Sequence, residues 1–393
     1  MRLLIVSNLY PPDIQGGYEI LCEQVVRGLE ARGHDVFVLT CGTEPVTVGD
    51  PNVRVRRSLG LLSPFPEPVR TGRWRAWQLH RANAAITREA IRAIQPEHIF
   101  IWSQLRLTLG CAEAAEASGV PVTYTFNDEH PAGFLPRKTD GTMRSWMGAA
   151  TDALFPRTRI TSLRLAHTTC ISATLKNALL DKGVDIPKSR VIWQGIPLER
   201  FPPLLDRSRG ARFRILYAGQ LHEYKGVHTL LEAAALVSAT GAFPFEIAIA
   251  GEGSAAYKQR LEALALNTGA PVRFLGRVAH GEIPALYRTH DVFVFPSIWR
   301  EPFGLTHLEA MASGTPVVST TEGGPGEFLV DRENALTFRA GDASALAHAL
   351  CLMATDTALA SRLALAARHM VEIRFTLDRY VAELEAFLQE TRS

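Results

Sequence analysis

Two doubly wound parallel sheets in an α/β chain are predicted by three features of this sequence. Short β-branched runs alternate with longer stretches of helical period over almost the whole length, the pattern of parallel sheets covered by helices on both faces. The 393 residues, at roughly 150 per domain, exceed what a single core needs. A proline-rich connector, Gly195-Ile196-Pro197-Leu198-Glu199-Arg200-Phe201-Pro202-Pro203, interrupts the alternation near the middle.

In chain order, the first series of strands is expected near 2–6, 35–40, 53–57, 98–102, 121–126, 167–171 and 190–193. Its opening member, Leu3-Leu4-Ile5-Val6, carries no polar residue, as a strand buried on both faces requires. A helix is expected over about 72 to 94. The prolines of the connector forbid a helix there, so a first domain is drawn over 1–197 and a second over 198–393. The second series of strands falls near 213–218, 245–250, 272–274, 291–295, 316–319 and 335–338. Helices near 343–354, 357–371 and 376–390 close the chain. The last places Leu377, Tyr380, Val381, Leu384, Phe387 and Leu388 on one face, a stripe that needs a partner surface. Whether these helices pack back on the first domain is left open. Ligands in such folds bind at the loops leaving the carboxyl ends of the strands, so the two domains are expected to face a central cleft that holds the site.

Composition narrows the function classes. Apolar residues make up 47% and 42 Lys+Arg stand against 40 Asp+Glu, which argues against a disordered chain and against a general polyanion or nucleic-acid binder. Residues 1–200 carry 24 basic and 19 acidic side chains, so any attraction to an anionic partner is expected in that half. No apolar run approaches the roughly 18 residues of a membrane span, and Arg2 leads straight into a strand. The expectation is a cytoplasmic protein with no spanning helix and no signal peptide. Cys22, Cys41, Cys111, Cys170 and Cys351 are scattered and form no Cys-x-x-Cys pair, which reads as buried thiols in a reducing compartment. With no Asp-x-Asp triad and no His-x-x-x-His spacing beside a Glu, no metal site is expected.

The most informative segment runs from Asp291 to Ala312: a buried strand, a loop holding Pro302 and Gly304, then a helix. Glu301 sits in the loop and Glu309 about one turn into the helix, where side chains lean toward the N-terminus, so both carboxylates are expected to face the same cleft. Between them, the first amides of the helix, from about Gly304 to Thr306, form an anion site suited to phosphate. On spacing alone, an ordinary first-turn acid and a solvated loop acid fit as well.

The surrounding residues separate these readings by resemblance. Glu301, seven intervening residues and Glu309, with Phe303-Gly304 between them and Ala310-Met311-Ala312-Ser313-Gly314-Thr315-Pro316-Val317-Val318 after, resemble the signature of the retaining glycosyltransferase family 4, glycosyl transferases group 1, with the GT-B fold. The likeness continues at Tyr217-Ala218-Gly219-Gln220 with Lys225-Gly226-Val227, at Ile249-Ala250-Gly251-Glu252-Gly253, at Phe274-Leu275-Gly276-Arg277-Val278 and at Gly323-Gly324-Pro325-Gly326-Glu327. In the first half, Ser7-Asn8-Leu9-Tyr10-Pro11-Pro12 followed by Gly16-Gly17-Tyr18-Glu19 resembles the family's glycine loop, where bare backbone approaches the donor. Two glycines after a strand can equally make a plain turn.

The resemblance implies a retaining, metal-independent hexosyl or related transfer from a nucleoside-diphosphate sugar by front-face displacement, in two Rossmann-like domains and without a cofactor. It assigns Glu309 to the ribose hydroxyls and Glu301 to hydroxyls of the transferred sugar. It places Gly16, Gly17, Gln220, Lys225, Gly251, Arg277, Val278, Phe303, Gly304, Leu305 and Thr306 around the donor. Two departures stand out. Gln220 occupies a position where the family usually has Arg, which removes one cation from the diphosphate site. Asn127 stands where many relatives have a histidine that contacts the donor sugar; it can orient a hydroxyl but cannot act as a base, and Asp128 and His130 follow at once to share that role. The alternatives are a GT-B nucleotide-sugar epimerase and a catalytically silent nucleotide-sugar-binding partner subunit.

The acceptor, a small molecule, a glycan or a lipid-linked sugar, is expected on the first domain. Arg54, Arg56, Arg57, Arg70, Arg73, Arg75, Arg81, Arg88 and Arg92 stand there against only Glu67 and Glu89, with Trp74 and Trp77 among them. A second stretch, Phe134 to Arg164, has six basic residues against Asp140 and Asp152, together with Trp146, Met147, Leu154 and Phe155. Asp13, Tyr18, Arg73, Arg75 and Arg81 are the acceptor candidates, and an anionic acceptor or a peripheral contact at the inner face of the membrane is the chemistry they suit. The bland reading of the same residues is a covering helix with an Arg-rich solvent face.

Overall fold

The structure, a computed structural model, describes residues 1–42, 54–65, 67, 69, 71–136, 159–204 and 210–391. Val53, Arg70 and most of the second basic stretch, with Trp146, Met147, Leu154 and Phe155, lie outside the described residues. The chain divides into two units, one of residues 1–192 and 381–393 and the other of residues 193–380.

The first unit runs β1 (Arg2–Val6), α1 (Gly17–Ala31), β2 (Asp35–Cys41), β3 (Val55–Leu59), α2 (Arg73–Ile94), β4 (His98–Ile101), α3 (Gly110–Ala117), β5 (Val122–Phe126), β6 (His167–Cys170), α4 (Ala173–Lys182) and β7 (Arg190–Val191). The strands pair in the order β3-β2-β1-β4-β5-β6-β7, parallel throughout. Leu3, Leu4, Ile5 and Val6 are fully buried, each stabilising the fold by about 1.5–3 kcal/mol. Because β2 lies on one side of β1 and β4 on the other, the carboxyl ends of β1 and β4 mark the switch point where such sheets bind ligands.

Helix α2 shows how a covering helix is oriented. Asn83, Ala84, Thr87, Ala90 and Ile94 form its buried face, and the Asn83 amide exchanges two hydrogen bonds of 2.9 Å with the backbone of Gly60. Arg75, Arg81, Arg88 and Arg92 are exposed, and Trp74 at the helix start is 57% exposed.

The second unit runs β8 (Phe213–Ala218), α5 (Val227–Thr240), β9 (Phe245–Ala250), α6 (Ala255–Ala265), β10 (Val272–Gly276), α7 (Ile283–Thr289), β11 (Val292–Phe295), α8 (Leu305–Ala312), β12 (Val317–Ser319), β13 (Leu336–Thr337), α9 (Ala343–Thr355) and α10 (Thr357–Arg374). Its order, β10-β9-β8-β11-β12-β13, repeats the reversal and puts the switch point between β8 and β11. Asp342 and Asp356 cap α9 and α10 by accepting from the backbone amides of Ala345 and Leu359, both at 2.8 Å.

The last helix, α11 (Leu377–Glu390), starts in the second unit and ends in the first. Within the first unit, Val381 packs against Gly28 of α1, where a β-carbon would come within 2.9 Å of Val381 Cγ2. Glu385 pairs with His34 at 2.7 Å and Glu390 with Arg190 at 2.7 Å. Of the predicted stripe, Tyr380, Val381, Leu384, Phe387 and Leu388 are buried and Leu377 is half-buried. Among the described residues no single helix is long and apolar enough to cross a membrane; α9 and α10 reach that composition only together, across a 99° bend.

Candidate active site

In the second unit, the loops leaving β8 and β11 lie against each other because glycines let them. Gly226, at φ +68°, faces the carbonyl oxygen of Pro296, which a β-carbon would overlap, and Gly251, at φ +142°, does the same against Gly219. Gly251 therefore holds one loop against another. The loop from β8 then turns through Lys225, whose Nζ donates to both carboxylate oxygens of Glu301 at 2.7 and 2.8 Å. Ser297 Oγ donates to the same carboxylate at 2.6 Å. Glu301 is only 6% exposed, so this is a largely desolvated ion pair with its carboxylate further satisfied by a hydroxyl.

The backbone of Glu301 is clamped by the glycine-rich segment after β12. Its amide donates to the Glu322 carbonyl at 3.0 Å, its carbonyl accepts from the Gly324 amide at 2.7 Å, and Gly323, at φ +90°, leaves no room for a side chain there. Glu327 of the same segment accepts from Trp193 Nε1 at 2.9 Å. Sequence motifs far apart along the chain thus serve one purpose, holding the Glu301 carboxylate in place.

Gly304 caps α8 at φ +122°, and a β-carbon on it would lie 2.7 Å from His307 Nδ1. His307 is fully buried, bonded through Nε2 to Ser319 Oγ at 2.8 Å, and burial pushes its pKa down to about 3, so it is neutral. It supports the helix start from beneath, a role that nothing in the sequence pattern signals. Phe303 is buried, while Leu305 and Thr306 are half-buried at the opening of α8, where the first amides of a helix have no intrahelical partner. Glu309, half-buried on α8, accepts from the Tyr287 hydroxyl of α7 at 3.0 Å. Burial pushes its carboxyl up to about 7, against the opposing pull of Tyr287 and Arg200. Gln220 and Arg277 are exposed and Val278 is half-buried; the Gln220 carbonyl accepts from the Tyr217 hydroxyl at 2.8 Å.

At the switch point of the first unit, Gly16 caps α1 and its amide donates to Glu19 at 2.8 Å. Glu19 is buried, which raises its pKa. Trp102, at the end of β4, donates from Nε1 to the Tyr18 carbonyl at 3.2 Å and so ties the Gly16-Gly17 loop to the sheet. Asn8, the second polar residue after β1, is fully buried, and neither atom of its side-chain amide finds a hydrogen-bond partner among the described residues. Asp13 pairs with Arg57 at 3.5 Å.

Asn127, Asp128 and His130 come together at the end of β5, in a pocket shared with Trp102, Gln104 and Phe134. Asn127 Nδ2 donates to the Trp102 carbonyl at 2.9 Å, so part of its amide is spent on joining β5 to β4. Asp128 Oδ1 accepts from the backbone amide of His130 at 2.8 Å rather than from its ring. Burial raises the Asp128 pKa and lowers that of His130, against the opposing pull of each on the other. Arg75 and Arg81 stand away from this pocket's lining on the outer face of α2, with Arg81 over the Trp77 ring at 4.9 Å. Among the described residues no three His, Cys, Asp or Glu side chains group where a metal ion could be held.

Two doubly wound parallel units in succession along the chain are the architecture of the GT-B class of folds. Two family descriptions match the chain one after the other: Glycosyltransferase Family 4 over residues 15–200 and Glycosyl transferases group 1 over residues 207–370. The chain belongs to this family of glycosyltransferases. It is 28% identical over 396 residues to a glycogen synthase of Mycobacterium tuberculosis, covering 95% of this chain and 91% of that protein. It is also 28% identical over 407 residues to a D-inositol 3-phosphate glycosyltransferase of Salinispora arenicola, covering 94% and 86%. Among solved structures, sucrose-phosphate synthase from Thermosynechococcus elongatus superposes with a TM-score of 0.74 at 21% identity, covering 99% of this chain and 98% of that one. Anabaena HepE in complex with UDP and glucose superposes with a TM-score of 0.71 at 18% identity, covering 99% of each chain. These two likenesses concern the fold alone.

Proposed function

We propose that this protein transfers a hexose from a nucleoside-diphosphate sugar to an acceptor with retention of anomeric configuration, without a metal. The observation that carries the reading is the Lys225–Glu301–Ser297 group at the ends of β8 and β11, next to the glycine-capped start of α8. It offers one cation and a helix N-terminus for a diphosphate, and one buried carboxylate for sugar hydroxyls. Gln220 adds neutral hydrogen bonds where a second cation would otherwise stand. Glu309 takes the ribose hydroxyls, and Gly251, Arg277, Val278, Phe303, Leu305 and Thr306 complete or support the donor site in the second unit. Anabaena HepE has been solved with UDP-glucose, which makes that nucleotide sugar the first donor to try.

In a front-face displacement the acceptor oxygen attacks the anomeric carbon from the side on which the diphosphate leaves. The glycosidic bond forms, the bond from carbon to phosphate oxygen breaks, and the acceptor's proton passes to the departing phosphate oxygen. No enzyme base is needed, so Asn127 in place of a histidine is compatible with activity, and Asp128 and His130 suit hydrogen bonding to hydroxyls. The acceptor is assigned to the first unit, around Asp13, Tyr18 and the Arg73, Arg75 and Arg81 stretch, whose exposed Trp74, Arg75 and Arg81 fit an anionic acceptor or the inner surface of a membrane. Proton NMR of the first product formed from an α-configured donor, with a chelator present, tests the mechanism. An α anomer is expected; a β anomer or complete dependence on added metal refutes it.

A further inference from the structure

The second unit opens at Trp193 and closes at Tyr380, and its entering and leaving segments are laced together. The Ile196 amide donates to the Phe375 carbonyl and the Leu377 amide to the Ile196 carbonyl, both at 2.9 Å, while Gly195 leaves no room for a side chain against the Thr376 carbonyl. Trp193 sits in this crossing. Its ring lies 5.6 Å from that of Phe375 at 34° and under the Arg374 guanidinium at 4.6 Å, and its carbonyl accepts from Arg379 at 2.5 Å. Two routes lead from it to the loop that carries Glu301. The indole Nε1 donates to Glu327 at 2.9 Å, in the segment whose Glu322 carbonyl and Gly324 amide clamp the Glu301 backbone. Phe375, fully buried, lies 6.0 Å from Phe303 and 5.4 Å from Phe328, and those two rings are 5.7 Å apart; Phe303 immediately precedes the Gly304 turn.

We propose that Trp193 is a positioning residue of the donor site, setting Glu301 through Glu327 and the Phe303-Gly304 turn through Phe375. A binding site must hold its polar groups to within about 0.5 Å of their productive places, and it does so through the residues packed behind them. Ring packing fixes a separation but tolerates sliding, whereas an N–H···O bond is directional and weakens steeply as it bends. The bond to Glu327 therefore fixes the register of the Gly323–Glu327 segment, and with it the place of the Glu301 carboxylate relative to Lys225 and Ser297. A phenylalanine at 193 would keep a ring against Phe375 and Arg374, so the indole N–H is what tryptophan adds here. One residue of the crossing thus sets both parts of the donor site that the sequence separates, the sugar carboxylate and the start of α8.

This inference rests on the donor-site reading, and the first of two measurements is independent of it. Hydrogen exchange read by mass spectrometry on the unliganded protein compares the wild type with Trp193→Phe, Glu327→Leu and Glu327→Gln. Exchange in peptides spanning Glu301 and Gly324 should rise about tenfold in Trp193→Phe and Glu327→Leu, with β8 and β9 still protected. Glu327→Gln, whose side-chain oxygen still accepts the indole N–H, should recover most of the protection. The second measurement is release of nucleotide from UDP-glucose, GDP-mannose or ADP-glucose by water, taking the donor that the wild type hydrolyses fastest. Its kcat should fall about tenfold in Trp193→Phe and Glu327→Leu with KM unchanged, and the double variant should be no worse than either alone, because both changes remove the same bond. Unchanged exchange at Glu301 and Gly324 in Trp193→Phe overturns the inference, as do additive losses in the double variant. Protection lost across β8 and β9 as well would overturn it too, by making Trp193 a residue of general packing. A wild type that binds and hydrolyses none of the three donors would count against the donor reading, with exchange still deciding whether Trp193 positions Glu301.

Discussion

Lys225 and Glu301 pair at 2.7 Å, each offsetting the other's desolvation. On the proposed donor reading, a diphosphate arriving at Lys225 would draw Nζ away from Glu301, freeing carboxylate lone pairs for sugar hydroxyls and coupling recognition of phosphate to recognition of sugar. Lys225→Ala should lower unfolding free energy in urea by about 3 kcal/mol, because it strands a buried carboxylate, and should weaken UDP roughly 10- to 100-fold through the lost charged hydrogen bond. Glu301→Ala should keep UDP affinity and impair transfer. Equal loss of UDP affinity in the two variants would sink this division of roles. Glu309 carries a pH signature as well. Burial holds its folded pKa at about 7, above the value near 4.3 of an unfolded chain, so the folded state keeps a proton that the unfolded state releases. That contribution is whole below the unfolded value and is lost as pH rises through about 7. Glu309→Gln should therefore flatten the decline in stability across this window. Ionised Glu309 accepts hydroxyls better, so wild-type UDP affinity should rise between about pH 6 and 8 relative to Glu309→Gln, the nucleotide's own ionisation near 6 being common to both. Parallel affinity curves for the two proteins would remove Glu309 from the ribose.

At the scale of elements, the parallel strands were legible because burial on both faces leaves apolar runs such as Leu3 to Val6 and Val292 to Phe295, and the start of α8 because Phe303-Gly304 breaks the chain just before a helical period resumes. What stayed hidden depends on partners distant in sequence. Ser297 and Lys225 reach the same carboxylate, yet Lys225 is 76 residues from Glu301. His307 reads as one more polar helix residue, and only the fold shows it bonded to Ser319 beneath the Gly304 turn. The Gly251 motif was legible as a motif, but only the fold shows that it braces Gly219. Helix α2 was legible as amphipathic, with Trp74 and the arginines on its outer face, while the pattern alone does not tell a binding face from a solvated one. Replacing Arg73, Arg75 and Arg81 with Ala should raise the acceptor KM and reduce its sensitivity to salt, with UDP affinity unchanged. Acceptor kinetics and binding to anionic vesicles both at wild-type level would show that these arginines are only a solvated face.

For the whole molecule, the return of the chain matters most. The second unit ends at Tyr380 and the first is completed by residues 381–393, so neither half of the sequence cut at the central connector contains everything its sheet packs against. Val381, Leu384 and Leu388 are buried, and Glu385 makes a hydrogen bond of 2.7 Å with His34, itself placed one residue before β2. Burying these three side chains contributes about 5–9 kcal/mol by the usual transfer values, comparable to the entire stability of a typical domain. A chain ending at Tyr380 should accordingly lose cooperative folding in the first unit while the second keeps its own core. Hydrogen exchange read by mass spectrometry distinguishes the outcomes: loss of protection should concentrate in β1, β2 and α1, with β8, β9 and β11 still protected. Full protection of β1 and β2 in the truncated chain would show that the closing helix merely covers a first unit already stable without it.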